Sequence, residues 1–239
     1  NFMWGVSAGF LLSGVSRELE VGDELSVFTP HIGAYAMARA GNFYTGLSAN
    51  AVYHDIDRER TIAIGNVTQI TESTTSAYQL QGTFSAGYNL QAGKFSLNPS
   101  IGIDTAYYSE SGYTEDEASS VSLTVGSRSL TRVDAVARVS AGYDFIWKKG
   151  ANPTIIRPEI FAEYSSALVG DNAGFVDVGF SAAADTVRFA IDEIGKNVKT
   201  GGVAFRFLGS GADATVRYTY REKDFITSHE ASLYFHLPF

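Results

Sequence analysis

The chain predicts an all-β fold, a transmembrane antiparallel up-and-down β-barrel of about ten strands, on three observations. Apolar and polar residues alternate with period two over stretches much longer than the five or six residues usual in soluble sheets. The connections between those stretches alternate short and long, as the periplasmic turns and extracellular loops of outer-membrane barrels do. No 18-residue stretch is free of polar side chains, and the mean hydropathy is -0.02, so a membrane-spanning helix is excluded. A barrel escapes that exclusion, because only alternate residues face lipid.

The clearest strand runs from Tyr78 to Gln91, where Tyr78, Leu80, Gly82, Phe84, Ala86, Tyr88 and Leu90 alternate with Gln79, Gln81, Thr83, Ser85, Gly87, Asn89 and Gln91. Phe95 to Tyr107 repeats the pattern, and so does Val133 to Trp147. Similar segments begin at Phe2, Ile32, Phe43, Ile156, Val203, Ala214 and Ala231. A tilted strand crosses the hydrocarbon in about nine to eleven residues, so the longer segments project above the outer surface. The short connections are Ala40-Gly41-Asn42, Gln91 to Lys94, Lys148 to Asn152 and Leu208 to Asp213. The long ones are Ser13 to Val27, Asp55 to Ser76, Ser109 to Leu130, Leu168 to Asn197 and Arg221 to Ile226. Two stretches inside long loops, Val121 to Leu130 and Phe175 to Ile191, also read as extended. They are placed above the membrane, because Asp177, Asp185, Arg188 and Asp192 crowd the second; counting both as spans gives twelve strands.

Parity fixes the facing, since a one-residue slip turns every side chain to the other side. Phe84, Leu97, Val139, Phe145 and Phe207 are expected on the outer wall, and Gln81, Asn98, Arg138, Glu159 and Arg206 inside. Trp4, Tyr53, Tyr107, Trp147, Tyr164 and Tyr218 are candidates for the two interfacial aromatic girdles. The charges expected to line the lumen are Asp104, Asp134, Arg138, Asp144, Arg157, Glu159, Glu163, Arg206, Arg217, Arg221 and Glu230. So many ionisable groups predict a hydrated interior with partial pairing, because an unpaired charge in a dry interior is costly.

Other chemistry is sparse. A net charge of -8 argues against a nucleic-acid partner, which needs clustered Lys and Arg. The absence of Cys fits a chain crossing an oxidising periplasm. Asn1-Phe2-Met3-Trp4 lacks the parts of a signal peptide, so the chain reads as mature or trimmed. Gly5-Val6-Ser7-Ala8-Gly9 fits the G-x-S-x-G elbow of hydrolases, yet it lies within a strand where that motif needs a strand-to-helix turn. Its glycines are better explained as room for lumen-facing aromatics. His31, His54, His229 and His236 have no ligand spacing, and neither a metal nor a cofactor is expected. His54-Asp55 sits at the outer rim, where a surface protease of omptin type would keep such a pair; a solvated loop base is the favoured reading. Asn66-Val67-Thr68 matches a glycosylation sequon by chance.

The order of motifs resembles the translocator domain of autotransporters, the type V secretion proteins. The resemblance spans nearly the whole chain, through Trp4 to Phe10, Gly33-Ala34-Tyr35-Ala36, Phe43 to His54, Ser85-Ala86-Gly87-Tyr88, Leu97-Asn98-Pro99, Arg157-Pro158-Glu159, Gly201-Gly202-Val203 and Val216 to Tyr220, ending on Phe239. Ser85 stands where that family usually has Glu. Phe2 to Phe10 resembles the third family strand, so residues 1–239 form one domain with ten of twelve strands, lacking its passenger, the first two strands and the pore-plugging helix. Either the chain is a fragment, leaving Phe2 to Leu12 with a free edge, or a smaller barrel closes by pairing that segment with the last strand.

The resemblance implies a non-enzymatic, monomeric barrel in the outer membrane of a Gram-negative bacterium. Its partners would be outer-membrane lipid, the barrel-assembly machinery and its own passenger polypeptide, which the lumen holds. In Ala231 to Phe239, Leu233, Phe235, Leu237 and Phe239 resemble the terminal signal read by that machinery. The rival reading is a stand-alone ten-stranded barrel acting as adhesin, narrow pore or surface protease through its loops. A soluble β-sandwich is disfavoured, because strands this long have no second sheet to cover them.

Overall fold

The computed structural model describes residues 1–239 apart from 20, 117–120, 149–153, 171–173, 183–184, 191–194, 210–211, 224–225 and 237–239. In chain order the strands are β1 (Phe2–Leu19), β2 (Val21–Ala40), β3 (Phe43–Ile64), β4 (Val67–Tyr88), β5 (Leu90–Ala92), β6 (Phe95–Glu110), β7 (Tyr113–Thr114), β8 (Leu123–Val125), β9 (Arg128–Tyr143), β10 (Phe145–Lys148), β11 (Thr154–Val169), β12 (Phe175–Phe180), β13 (Thr186–Ala190), β14 (Asn197–Leu208), β15 (Asp213–Lys223) and β16 (Ile226–His236). Ten of them pair antiparallel with their chain neighbours in one curled sheet, in the order β1-β2-β3-β4-β6-β9-β11-β14-β15-β16. The short β5 and β10 prolong β4 and β9 past breaks at Asn89 and Asp144. Among the described residues β1 pairs only with β2 and β16 only with β15, so the sheet is open at both edges.

Ten membrane strands match the expectation from sequence, as do the turns at Ala40-Gly41-Asn42 and Gln91 to Lys94, whereas the connections Lys148 to Asn152 and Leu208 to Asp213 lie partly outside the described residues. Gly41-Asn42 and Gly65-Asn66 turn in two residues, and the glycines at φ 61° and 64° take a conformation that Cβ would strain. The second of these turns corrects a reading. Asp55 to Ser76 is not a loop: β3 and β4 pair without interruption from Phe43↔Tyr88 to Ile64↔Val67. Ser13 to Leu19 and Val21 to Val27 are likewise ladder, running out to Leu19↔Val21. Runs of Thr and Ile in the β3 and β4 extensions suit a pleated strand with water on both sides, where no apolar period is needed.

Of the two extended stretches in the long loops, Val121 to Leu130 and Phe175 to Ile191, the described residues lie outside the main sheet as expected, except Arg128 to Leu130, which open β9. They supply β8, β12 and β13, which join β7 in a four-stranded sheet of order β13-β12-β8-β7. An exposed Arg188–Asp177 pair at 2.8 Å ties β13 to β12. The twelve-span alternative therefore fails, since these strands pair with one another and not with the barrel wall.

Register shows how the faces separate. Phe84 aligns with Leu47 and Ile103, and Val139 with Ala162, on a convex face where large apolar side chains stay exposed. Trp4, Tyr53, Trp147, Tyr164 and Tyr218 are exposed on that face, with Tyr107 half-buried beside Tyr78, their ring centroids 6.0 Å apart. Phe43 and Tyr53 on β3 are ten residues apart, as are Tyr88 and Tyr78 on β4. At about 3.3 Å per residue and a tilt near 40° that separation spans roughly 25 Å of height, the thickness of an outer-membrane apolar band. The same residues therefore mark two aromatic rows bounding a lipid-facing wall.

Inward-facing glycines make room for inward rings. A Cβ on Gly5 would lie 2.5 Å from the Tyr35 hydroxyl, one on Gly87 2.4 Å from the Tyr44 ring, and one on Gly202 2.5 Å from the Phe161 ring. Cysteines placed at Phe84, Val139 and Phe207 are expected to resist a membrane-impermeant thiol reagent in intact outer membranes. Those at Gln81, Asn98 and Arg206 should react at least tenfold faster; the reverse ranking would invert the faces.

Candidate functional site on the concave face

Alternation along each ladder puts every charged position singled out from the sequence on one face. Asp104, Asp134, Arg138, Asp144, Arg157, Glu159, Glu163, Arg206, Arg217, Arg221 and Glu230 all point away from the apolar wall. Several of them pair across neighbouring strands. Arg138 stands opposite Glu163 and donates to it through Nε at 2.7 Å. Arg157 grips Asp144 with hydrogen bonds of 2.5 and 2.9 Å, and Arg206 donates to Glu159 at 3.1 Å. Asp134 is held by Arg132, two residues back on the same face, at 2.7 Å, which leaves Asp104 directly opposite it without an ion pair among the described residues. The Arg217 guanidinium carbon lies over the Phe161 ring, 4.0 Å from its centroid. Arg221 and Glu230 form no ion pair among the described residues. Arg138 and Arg206 remain close to half exposed, so water reaches this face.

A second group of charges closes the outer end of the sheet and was missed from sequence. Glu110 is 4% exposed and accepts from Arg58 at 2.7 Å, from Arg128 at 2.7 Å and from the Tyr108 hydroxyl at 2.9 Å. Glu115 accepts from Arg60 Nε and from the Leu123 backbone N–H, each at 2.8 Å. The Arg58 guanidinium also lies over the Tyr113 ring, and Asp116 N–H donates to the Glu72 carbonyl at 2.7 Å. Tyr113, Glu115, Asp116 and Leu123 are thereby clamped onto the β3–β4 extension, in which Thr71, Ser73 and Thr75 are buried. Burial pushes the Glu110 carboxyl up, but hydrogen bonds from Arg128 and Tyr108 and the charges of Arg128 and Arg58 outweigh it and hold it below its usual range. Glu115 behaves likewise, burial being overcome by Arg60, the Leu123 N–H and the Thr71 hydroxyl.

The remaining motifs find no constellation. His54 faces inward, where its Nδ1 meets the Thr29 hydroxyl at 3.1 Å, while Asp55 takes the opposite face, so the two do not act as a pair. Ser7 sits in extended β1 opposite Gly33, without the sharp turn that exposes a nucleophile. His229 lies on the convex face against Tyr218, at 2.7 Å. Among the described residues no three of His, Cys, Asp and Glu are grouped to hold a metal. Of the terminal set, Leu233 and Phe235 are exposed on the convex face, and Leu237 and Phe239 lie outside the described residues.

A curled antiparallel sheet with an apolar convex wall between aromatic rows and a charged, hydrated concave face is the wall of an outer-membrane β-barrel. The family model of the autotransporter β-domain matches residues 1–219, and the chain belongs to that family of outer-membrane translocator barrels. The β-domain of the Bordetella autotransporter BrkA is similar in structure, with a TM-score of 0.51 at 14% identity, over 97% of this chain and 89% of that one. The translocator domain of NalP from Neisseria meningitidis is similar with a TM-score of 0.54 at 12% identity, over 100% of this chain and 88% of that one. No curated protein sequence matches the chain. The protein is therefore an outer-membrane protein of a Gram-negative bacterium, and translocator domains of this family are structural barrels associated with a passenger and with the outer membrane.

The clamp gives a pH dependence whose sign follows from its lowered carboxyl pKa values. Its contribution is fully present above the unfolded glutamate value of about 4.3 and is lost as pH falls through the lower folded values. Protection against hydrogen exchange at Tyr113, Thr114 and Leu123 to Val125, relative to the intrinsic rate at each pH, should therefore fall below about pH 4 while the barrel ladder stays protected. Glu110→Gln at neutral pH should produce the same local opening, costing about 2 kcal/mol, between the values for exposed and buried pairs, because Arg58 and Arg128 are partly exposed. Unchanged protection in both experiments would contradict the clamp.

Proposed function

We propose that this barrel carries its passenger across the outer membrane and anchors it at the cell surface. The observation that supports this reading most is the segregation of faces, because a lipid-facing wall behind a hydrated, charged concave face suits a conduit for polypeptide. In this reading the eleven concave charges line the lumen, and their partial pairing keeps them wetted and able to exchange partners. The work is mechanical and electrostatic, with no bond made or broken. The free edges of β1 and β16 favour closure through further strands between them, and a closed barrel has no edge left that needs a second copy, which suits a monomer.

The terminal strand extends the proposal to assembly. Leu233 and Phe235 project into lipid, and with Leu237 and Phe239 they form the alternating apolar signal that the barrel-assembly machinery would read. Phe239→Ala should lower the amount assembled in the outer membrane severalfold, yet leave the strand content of refolded protein unchanged. Normal assembly would remove that role.

Translocation is tested with an epitope fused upstream of Asn1 in the complete protein. On intact cells the epitope should be open to antibody and to added protease, and it should become inaccessible when an unrelated ten-stranded barrel replaces residues 1–239. An epitope that stays periplasmic while the native barrel is inserted would favour the stand-alone adhesin or pore.

A further inference from the structure

The concave face is electrically lopsided. Away from its rims, where Asp23, Arg39, Arg58 and Arg60 lie, the β1–β4 half presents Ser7, Tyr35, Asn50, Gln81 and Thr83 there, whereas from β6 onward charges occur at mid-strand as well. Within the charged half, carboxylates pair with Arg138 and Arg157 and with one amino group of Arg206, whose Nε has no partner, but no acceptor among the described residues takes a hydrogen bond from Arg217 or Arg221, both on β15. Glu230 lies diagonally between them across the β15–β16 ladder and pairs with neither. Each of these arginines also stands directly opposite a hydroxyl that has no partner: Ser232 across from Arg217, and Thr200 across from Arg221.

Arg217 is held in place rather than trailing in water. Its guanidinium lies over the Phe161 ring, and that ring fits only because Gly202 beneath it has no side chain. The Nε of Arg217 is covered and without an acceptor, so its outward edge is what remains for a partner. A planar guanidinium fixed by stacking, with a hydroxyl at its side, suits a carboxylate, which accepts two parallel N–H bonds. Four residues along a strand separate the two arginines by about 13 Å.

We propose that the β15 wall is a docking strip for an acidic segment of the same polypeptide, held in the lumen with two carboxylates about 13 Å apart. In a helix that spacing corresponds to about nine residues, and in an extended segment to four. The proposal rests on the reading that the lumen holds a part of its own polypeptide, and adds the charge and the wall by which that part is held. A basic or neutral segment would offer Arg217 and Arg221 no opposite charge.

The test uses the complete protein in isolated outer membranes, with Thr215 or Thr219 replaced by the photo-crosslinker p-benzoylphenylalanine. Both positions flank Arg217 on the concave face. The expected product is an internal cross-link to a segment bearing two Asp or Glu at one of the two spacings. Arg217→Glu should cut its yield at least fivefold, whereas Arg217→Lys should stay within twofold. Arg221→Glu serves as an independent second variant, and a heat-modifiable band on gels verifies that each barrel is folded. A cross-link to a segment without acidic residues, or an undiminished yield in both reversed variants, overturns the proposal and leaves passenger transport standing. No cross-link to the same polypeptide from either position overturns both.

Discussion

Hydrocarbon offers a backbone no hydrogen-bond partner, and this constraint governs the rest of the molecule. Each N–H and C=O at membrane depth must be satisfied by a neighbouring strand, which is why ten strands run in continuous antiparallel ladders and why all the described connections at the periplasmic end are tight. The same constraint makes the open edges of β1 and β16 untenable within lipid, so a partner must meet each of them in the membrane. Once the ladder is obligatory, strand parity assigns every side chain to lipid or to the interior, and chemistry has only the interior and the outer loops in which to work.

The interior charges follow from that division. A carboxylate or guanidinium on the convex wall would face hydrocarbon, whereas on the concave face it meets water and an opposite charge one strand away. Arg138 with Glu163 and Arg206 with Glu159 are such neighbours. Their pairing steadies the wall without sealing it. Above the membrane the rule relaxes, and loops fold back on the strand extensions through the buried Glu110 and Glu115, where two or more donors offset the cost of burial.

Much of this was legible because the membrane simplifies the sequence. The strands from Tyr78, Phe95 and Val133 and their facing follow from period two, and the count of ten from that period together with the alternation of short and long connections. The extensions of β1 to β4 did not, and β3 shows the physical reason. Its convex face reads Leu47, Ala49, Ala51 and Tyr53 within the apolar band, then Asp55, Asp57 and Glu59 beyond it, so the outward side turns acidic where lipid ends. Apolar periodicity therefore stops at the membrane surface although the strand continues. Cross-strand ion pairs were readable as a class from parity. Arg58 with Glu110 and Arg60 with Glu115 were not, because they join residues 52 and 55 apart through connections whose register no pattern sets.

The central claim is that apolar parity faces lipid, and the chain carries its own probes for it. Its only tryptophans, Trp4 and Trp147, are both exposed on the convex face near the periplasmic ends of their strands. The decisive measurement is tryptophan fluorescence of the complete protein inserted in lipid vesicles, with any tryptophan outside residues 1–239 replaced by phenylalanine, quenched either by brominated acyl chains or by aqueous iodide. Strong quenching by the brominated lipid with little effect of iodide is the result this structure predicts. Quenching by iodide alone, in protein whose strand content is intact, would place the aromatic face in water and contradict the barrel.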